Sequence, residues 1–246
     1  MSGKEKLNEY ITSAKGRINE LFVALQESRV TRRGLAGSLW YYEEKFAVYS
    51  LTLGELSNVK HHFYNCGRID EYLINKFDDR ILDSGISHLS YALLSDDLSL
   101  IRRYAELSHS CYKPMVEMGH STPLYVMQRI MANDWDNVKR GIKIMDEKTL
   151  KRNKPLKPDR DFYEAVLNKD ADSAKAAITQ LLKDHKKRNK YLGLASEFIS
   201  MPALGYTKLA WLKGMELDID HPLVPKELLP FKPLDKYDVA YDFLKE

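Results

Sequence analysis

The sequence predicts an all-α protein, and three observations carry that expectation. Long stretches repeat their apolar residues at spacings of three and four, the period of a helix with one buried face. Glycine and proline number only 12 and 9 in 246 residues, too few to punctuate an all-β chain of this length. A short pattern ending in aspartate recurs in the middle of the chain, first 37 and then 36 residues on. With 44% hydrophobic residues the chain is able to bury a substantial core.

Leu7, Ile11, Ala14, Ile18, Leu21 and Leu25 define a first long helix from about Lys4 to Ser28. Arg32, Arg33 and Gly34 interrupt the pattern. It resumes with Leu39, Tyr42, Phe46, Tyr49, Leu53 and Leu56 and continues through Val59 and Phe63, predicting a second long helix. The short polar link makes residues 1–66 an antiparallel α-hairpin.

The repeat consists of YALLSDD at Tyr91–Asp97, QRIMAND at Gln128–Asp134 and EAVLNKD at Glu164–Asp170. After each closing aspartate, apolar residues follow four and eight positions on: Ile101 and Ala105, Val138 and Ile142, Ala174 and Ile178. Each aspartate is therefore predicted to be an N-cap, its carboxylate accepting from free amides of the next helix. Residues 80–188 read as three helix-turn-helix units that bury their faces by stacking. The tetratricopeptide repeat is an architectural analogy only, since its period is shorter and its residue pattern is absent.

Pro155 and Pro158 make Lys148–Arg160 a predicted loop. Residues 189–246 are expected to form a final helix, from about Lys190 to Lys213, and a tail. Prolines at 222, 225, 230 and 233 exclude a long helix in that tail, yet Leu217, Ile219, Val224, Leu228 and Phe231 are too apolar for solvent. The tail is expected to pack on the helices, with one short helix near Lys226–Leu229. The whole of 1–246 is expected to be one helical domain.

Net charge is only +3, so no nucleic-acid partner is expected from global charge and any electrostatic argument is local. Two cysteines, Cys66 and Cys111, make no disulfide framework and suit a reducing compartment. Met1–Tyr10 contains no apolar stretch, and no window has the roughly 18 apolar residues of a membrane span. Cytoplasmic residence is the expectation.

No phosphate loop, nucleophile elbow, HExxH or CxxC motif is present. His62 and Cys66 share a helix face, but a metal site needs three or four ligands, so neither metal nor cofactor is expected. The acidic doublets Glu43/Glu44, Asp78/Asp79 and Asp96/Asp97 point about 100° apart on a helix and do not converge on one substrate. They read as solvated faces and caps, or as acids that meet a basic partner. Two basic clusters, Lys148–Arg160 and Lys183–Lys190, lack interleaved aromatics, and the second is explained by a helix C-terminus. Tyr42 and Tyr49 lie on the apolar stripe. Tyr41 lies off it and is a candidate for the surface.

The run from Phe198 to Leu244 adds a resemblance. Its elements are Ala-Trp-Leu-Lys-Gly at Ala210–Gly214, the Asp-x-Asp-x-Pro-Leu-Val-Pro-x-Glu-Leu-Leu-Pro segment at Asp218–Pro230, and Tyr-Asp-Phe-Leu at Tyr241–Leu244. This stretch resembles the C-terminal part of the immunity protein 49 family of bacterial polymorphic-toxin systems. The resemblance implies a non-enzymatic protein that binds and blocks a toxin encoded beside it, and the expected cytoplasmic residence suggests a toxin that acts inside the cell. Tyr41, Glu43, Glu44, Asp78 and Asp79 are the expected contacts, with the acids forming one patch if the toxin is a basic nuclease. The rival expectation is an α-hairpin scaffold that binds a peptide and has no toxin partner. An enzyme with an unfamiliar helical site stands third.

Overall fold

The computed structural model describes residues 2–188 and 193–245, and every regular element among them is helical. Helix α1 (Gly3–Gln26) opens on a capping box. Ser2 Oγ accepts from the Glu5 amide at 3.3 Å, while the Glu5 carboxylate accepts from the Ser2 amide at 2.7 Å. Thr31 caps α2 (Arg32–Thr52), its hydroxyl accepting from the Gly34 amide at 3.1 Å.

The stripe that reads through to Phe63 belongs to two helices. Helix α2 stops at Thr52, Gly54 turns with φ +74°, and α3 (Leu56–Phe77) packs back along α2. Glycine takes this left-handed conformation without a Cβ penalty, and the turn keeps the apolar spacing in phase. Helix α2 is thereby covered on two sides, by α1 and by α3.

Next come α4 (Ile86–Ser95) and α5 (Leu98–Glu106), then the short α6 (Tyr112–Glu117), then α7 (Thr122–Met131) and α8 (Trp135–Ile144). A single turn, α9 (Leu150–Arg152), precedes α10 (Lys157–Asn168) and α11 (Ala171–Lys183). Each repeat turn is built alike. Asp96, Asn133 and Lys169 take φ of 62°, 61° and 55°, which ends one helix, and the following aspartate caps the next. Asp97, Asp134 and Asp170 accept from the amides of Leu100, Asn137 and Ser173 at 2.5, 3.4 and 3.0 Å. Adjacent units meet through α5 and α7 and through α8 and α10.

Removing one cap has a defined expected cost. Asp134→Ala is expected to lower stability by about 1 kcal/mol at neutral pH. Hydrogen bonds from Asn137, followed by the nearby Arg129, hold the Asp134 carboxyl below its ordinary value of 3.8. A folded value below the unfolded one means the contribution is present above about pH 4 and lost as pH falls through the folded value. Thermal melts of the two proteins are expected to differ at neutral pH and to converge in acid.

The Lys148–Arg160 segment is helical in pieces rather than a loop. A π turn spans Met145–Thr149, a 3-10 turn spans Lys154–Leu156, and α10 begins at Lys157 with Pro158 in its first turn. A first-turn proline removes only an amide that has no intrahelical partner. The final helix is shorter than expected for the same reason. Residues 189–192 lie outside the described residues; α12 (His185–Arg188) precedes them, and a 3-10 turn at Gly193–Glu197 follows. Helix α13 (Met201–Leu212) begins only where Pro202 can sit in a first turn.

Helix α13 is apolar nearly all round and is buried, with α4 packed against it. The tail packs as expected, burying Leu217, Ile219, Val224, Leu228 and Leu229, with a 3-10 turn at Lys226–Leu228. An extended segment has no helical ladder, so side chains of the helices take up its backbone groups. Lys60 donates to the Lys232 carbonyl at 2.5 Å, Asn65 accepts from the Ala240 amide at 3.1 Å, and Arg68 donates to the Leu244 carbonyl at 2.8 Å. Leu244 closes a second apolar cluster with Leu35, Leu39, Ile69 and Leu73.

Candidate functional site

The acidic doublets separate, as their helical angle requires, and each member meets a different partner. Glu43 and Glu44 on α2 are buried, 3% and 6% exposed, and have little surface to offer a second protein. Glu43 accepts from the Tyr241 hydroxyl at 2.7 Å and contacts His62 Nδ1 at 2.7 Å. Glu44 accepts from the Tyr91 hydroxyl at 2.6 Å and pairs with Lys45. Their burial follows from the double covering of α2.

Asp78 ends α3 in the left-handed conformation, φ 51°, and accepts from the backbone and hydroxyl of Ser110. Those two bonds hold its carboxyl below the ordinary range. Asp79 is paired with Arg33 at 2.7 Å. Asp96 is wholly buried, and only Asp97 is a plain cap. The acids do not form one patch.

Tyr41 is placed differently, being 47% exposed. Lys45, one turn on, sets its ammonium 4.0 Å from the centre of the Tyr41 ring, which fixes the ring's pose without covering it. The Tyr41 hydroxyl lies beside Gly193, 3.3 Å from where a Cβ there would stand.

A separate polar layer is buried in the core. Asp70 on α3 accepts from the Tyr104 hydroxyl at 2.9 Å and contacts His88 Nδ1 at 2.9 Å, and His88 stacks on Trp40 at 4.8 Å. Burial pushes the Asp70 carboxyl up, against the pull of His88. Cys66 is fully buried, and burial, with Glu43, Glu44 and Asp70 around it, pushes its thiol well up. Such a thiol is a poor nucleophile and a poor ligand. His62 faces Glu43 while the nearest polar contact of the Cys66 sulfur is the Trp40 carbonyl at 3.8 Å, so the pair does not converge. Among the described residues no group of three or more His, Cys, Asp or Glu side chains converges as metal ligands would. The layer joins α2, α3, α4 and α5 and works as an internal polar strut.

Two segments that look unrelated in the sequence do come together. Arg188 on α12 donates to the Pro155 carbonyl at 2.9 Å and to both Asp159 oxygens at 3.0 and 2.8 Å. That clamp sets the basic end of α11 and α12 against the basic stretch before α10. The two clusters are visible in the sequence, but nothing in it says that they meet.

The fold is an all-helical framework whose buried acids pair with neighbouring side chains, with Tyr41 exposed and held by Lys45. Comparison with known families identifies what kind of protein it is. Residues 67–228, about two-thirds of the chain, match the family model of immunity protein 49, and the chain belongs to that family. Immunity proteins of this family are not catalytic, and this protein is not an enzyme. The match takes in the three repeat units and ends at Leu228, so it covers the hairpin array and the first part of the tail but neither Tyr41 nor the Tyr241–Leu244 element. No curated protein and no solved structure matches the chain. No helix among the described residues is long and apolar enough to cross a membrane.

Proposed function

We propose that this protein binds a cognate bacterial toxin in the cytoplasm, one to one, and so blocks its activity. The observation that carries the reading is the family match over the hairpin array, since a partner toxin is what an immunity protein requires. The toxin is encoded by an adjacent gene and acts inside the cell. Tight inhibition of this sort uses an interface of about 1,600 Å² with a few aromatic or charged anchors. Of the five residues first expected at the contact, Tyr41 is the one the proposal retains, because its ring is exposed and held in place by Lys45.

Co-expression with the products of neighbouring genes tests this. Host survival, together with a complex of one copy each by size-exclusion chromatography with light scattering, is the expected result. Killing that the protein does not relieve, with no complex for any neighbouring product, would move the helical-scaffold reading to first place.

A further inference from the structure

We infer that the toxin docks through an acidic surface onto a basic face built from the Lys151–Lys154 stretch and the α11–α12 end, beside Tyr41. The inference rests on the immunity reading above and names the surface that reading leaves open.

Charge in this protein is unevenly placed. Residues 148–160 hold six cations and one anion, and residues 183–188 hold four cations and one anion, a combined excess of eight. The whole chain carries +3, so everything outside these two segments carries −5. The fold brings the two segments together through Arg188, whose guanidinium lies over the fully buried Asp159 and reaches the Pro155 carbonyl. Tyr206 also donates to Asp159 at 2.8 Å, which anchors the clamp to α13.

Three of the nearby acids are ion-paired, while Asp184 bonds to a neutral amide and Glu197 lies exposed in the groove of Lys186. Asp159 is taken by Arg188, Asp161 by Lys157, Asp146 by Arg160, and Asp184 accepts from Gln180. Lys151, Lys154, Lys183, Lys186 and Lys187 are exposed and make no ion pair among the described residues. Lys154 and Asp184 line one open groove, and Lys186 and Gly193 line the next, which brings the face to the Tyr41 hydroxyl. Five lysines without ion pairs, on two segments joined by the Arg188 clamp, raise the local positive potential and speed the approach of an acidic partner. A fixed aromatic ring at their margin supplies the apolar anchor that charge alone lacks. The chain as a whole carries only +3, which gives little general pull on nucleic acid, so the partner favoured is an acidic protein surface.

The test uses the full chain and the toxin identified by co-expression. A variant carrying Lys151→Glu, Lys154→Glu, Lys186→Glu and Lys187→Glu is compared with one carrying Lys139→Glu and Lys143→Glu on α8, whose lysines sit beside Asp136 and Glu147. Wild-type affinity is expected to fall as salt rises, and the fourfold reversal to weaken binding on the order of 100-fold, mostly through the association rate. The α8 variant is expected to bind like wild type. If the fourfold reversal lowers the melting temperature, the four Lys→Gln replacements decide the matter, with about a tenfold loss expected. Toxin binding that is indifferent to salt and to either set of changes overturns this surface and leaves the immunity reading standing. Failure of the wild-type chain to bind any neighbouring toxin overturns both. Tight binding of a labelled single strand or duplex by the wild type, lost in the fourfold variant, overturns the protein-partner assignment in favour of nucleic acid.

Discussion

Replacing Lys208 by methionine is expected to lower stability by about 3 kcal/mol, the cost of breaking a buried ion cluster from which one of two cations is removed. Lys208 sits in the middle of α13 and is fully buried. Its ammonium lies 2.5 Å from Asp96 and donates to the carbonyls of Leu228 and Pro230 at 2.8 and 2.9 Å. Asp96 is itself fully buried, pairs also with Lys60 at 3.0 Å, and accepts from the Lys232 amide at 3.2 Å. One ion cluster thus fastens α3, the first repeat turn, α13 and the tail. Burial lowers the pKa of Lys208, and Asp96 opposes that shift, so the cation depends on its carboxylate. Methionine fills the same space but leaves two tail carbonyls unmet and Asp96 with a single cation. Urea unfolding followed by circular dichroism measures the loss. Adding Asp96→Asn to the variant is expected to restore part of it, because asparagine tolerates the left-handed turn and carries no charge to strand. A loss below about 1 kcal/mol would show that the cluster does not hold the tail.

Gly205→Ala is the second large effect, expected at about 3 kcal/mol, the upper end for overpacking a tight core. A Cβ at Gly205 would stand 2.6 Å from the Ser90 Cβ and 3.3 Å from its Cα. Ser90 lies on α4, which α13 crosses closely, and both residues are buried. The obstruction involves atoms fixed to the backbone, so a rotamer change cannot relieve it and one helix must move. Gly16→Ala on exposed α1 is the control. Nothing lies within 4 Å of its Cβ position, and alanine there is expected to stabilise by about 0.5–1 kcal/mol. Ser90→Gly combined with Gly205→Ala is expected to regain part of the loss, since it removes the atom in the way. Thermal unfolding of the four proteins reads these signs directly.

What could be read along the chain follows from short-range physics. Alternating spacings of three and four placed α1, the repeat helices and the capping aspartates Asp97, Asp134 and Asp170, all found where expected. The same reasoning merged α2 with α3, because Gly54 turns the chain without breaking the phase of the apolar pattern. It also ran the final helix through Pro202, although a proline belongs in a first turn. Lys208 escaped the reading along the chain: a lone lysine within the apolar run MPALGYTKLAWL is the signal that could have found it, while its partner Asp96 reads as half of an ordinary cap.

By itself, then, the sequence determined the helical class, the repeat and its caps, the packed character of the proline-rich tail and the family resemblance. Each depends on residues a few positions apart or on a contiguous motif. The tertiary structure decided which charges remain available. It buried Glu43 and Glu44 by packing α2 between α1 and α3, spent Asp96 on Lys60 and Lys208, and set Lys154 near α12 through the Arg188 clamp. A helical position fixes the direction in which a side chain points, but the group it meets is brought from another part of the chain. Whether a charge is paired, buried or left for a partner is therefore settled only when the helices pack.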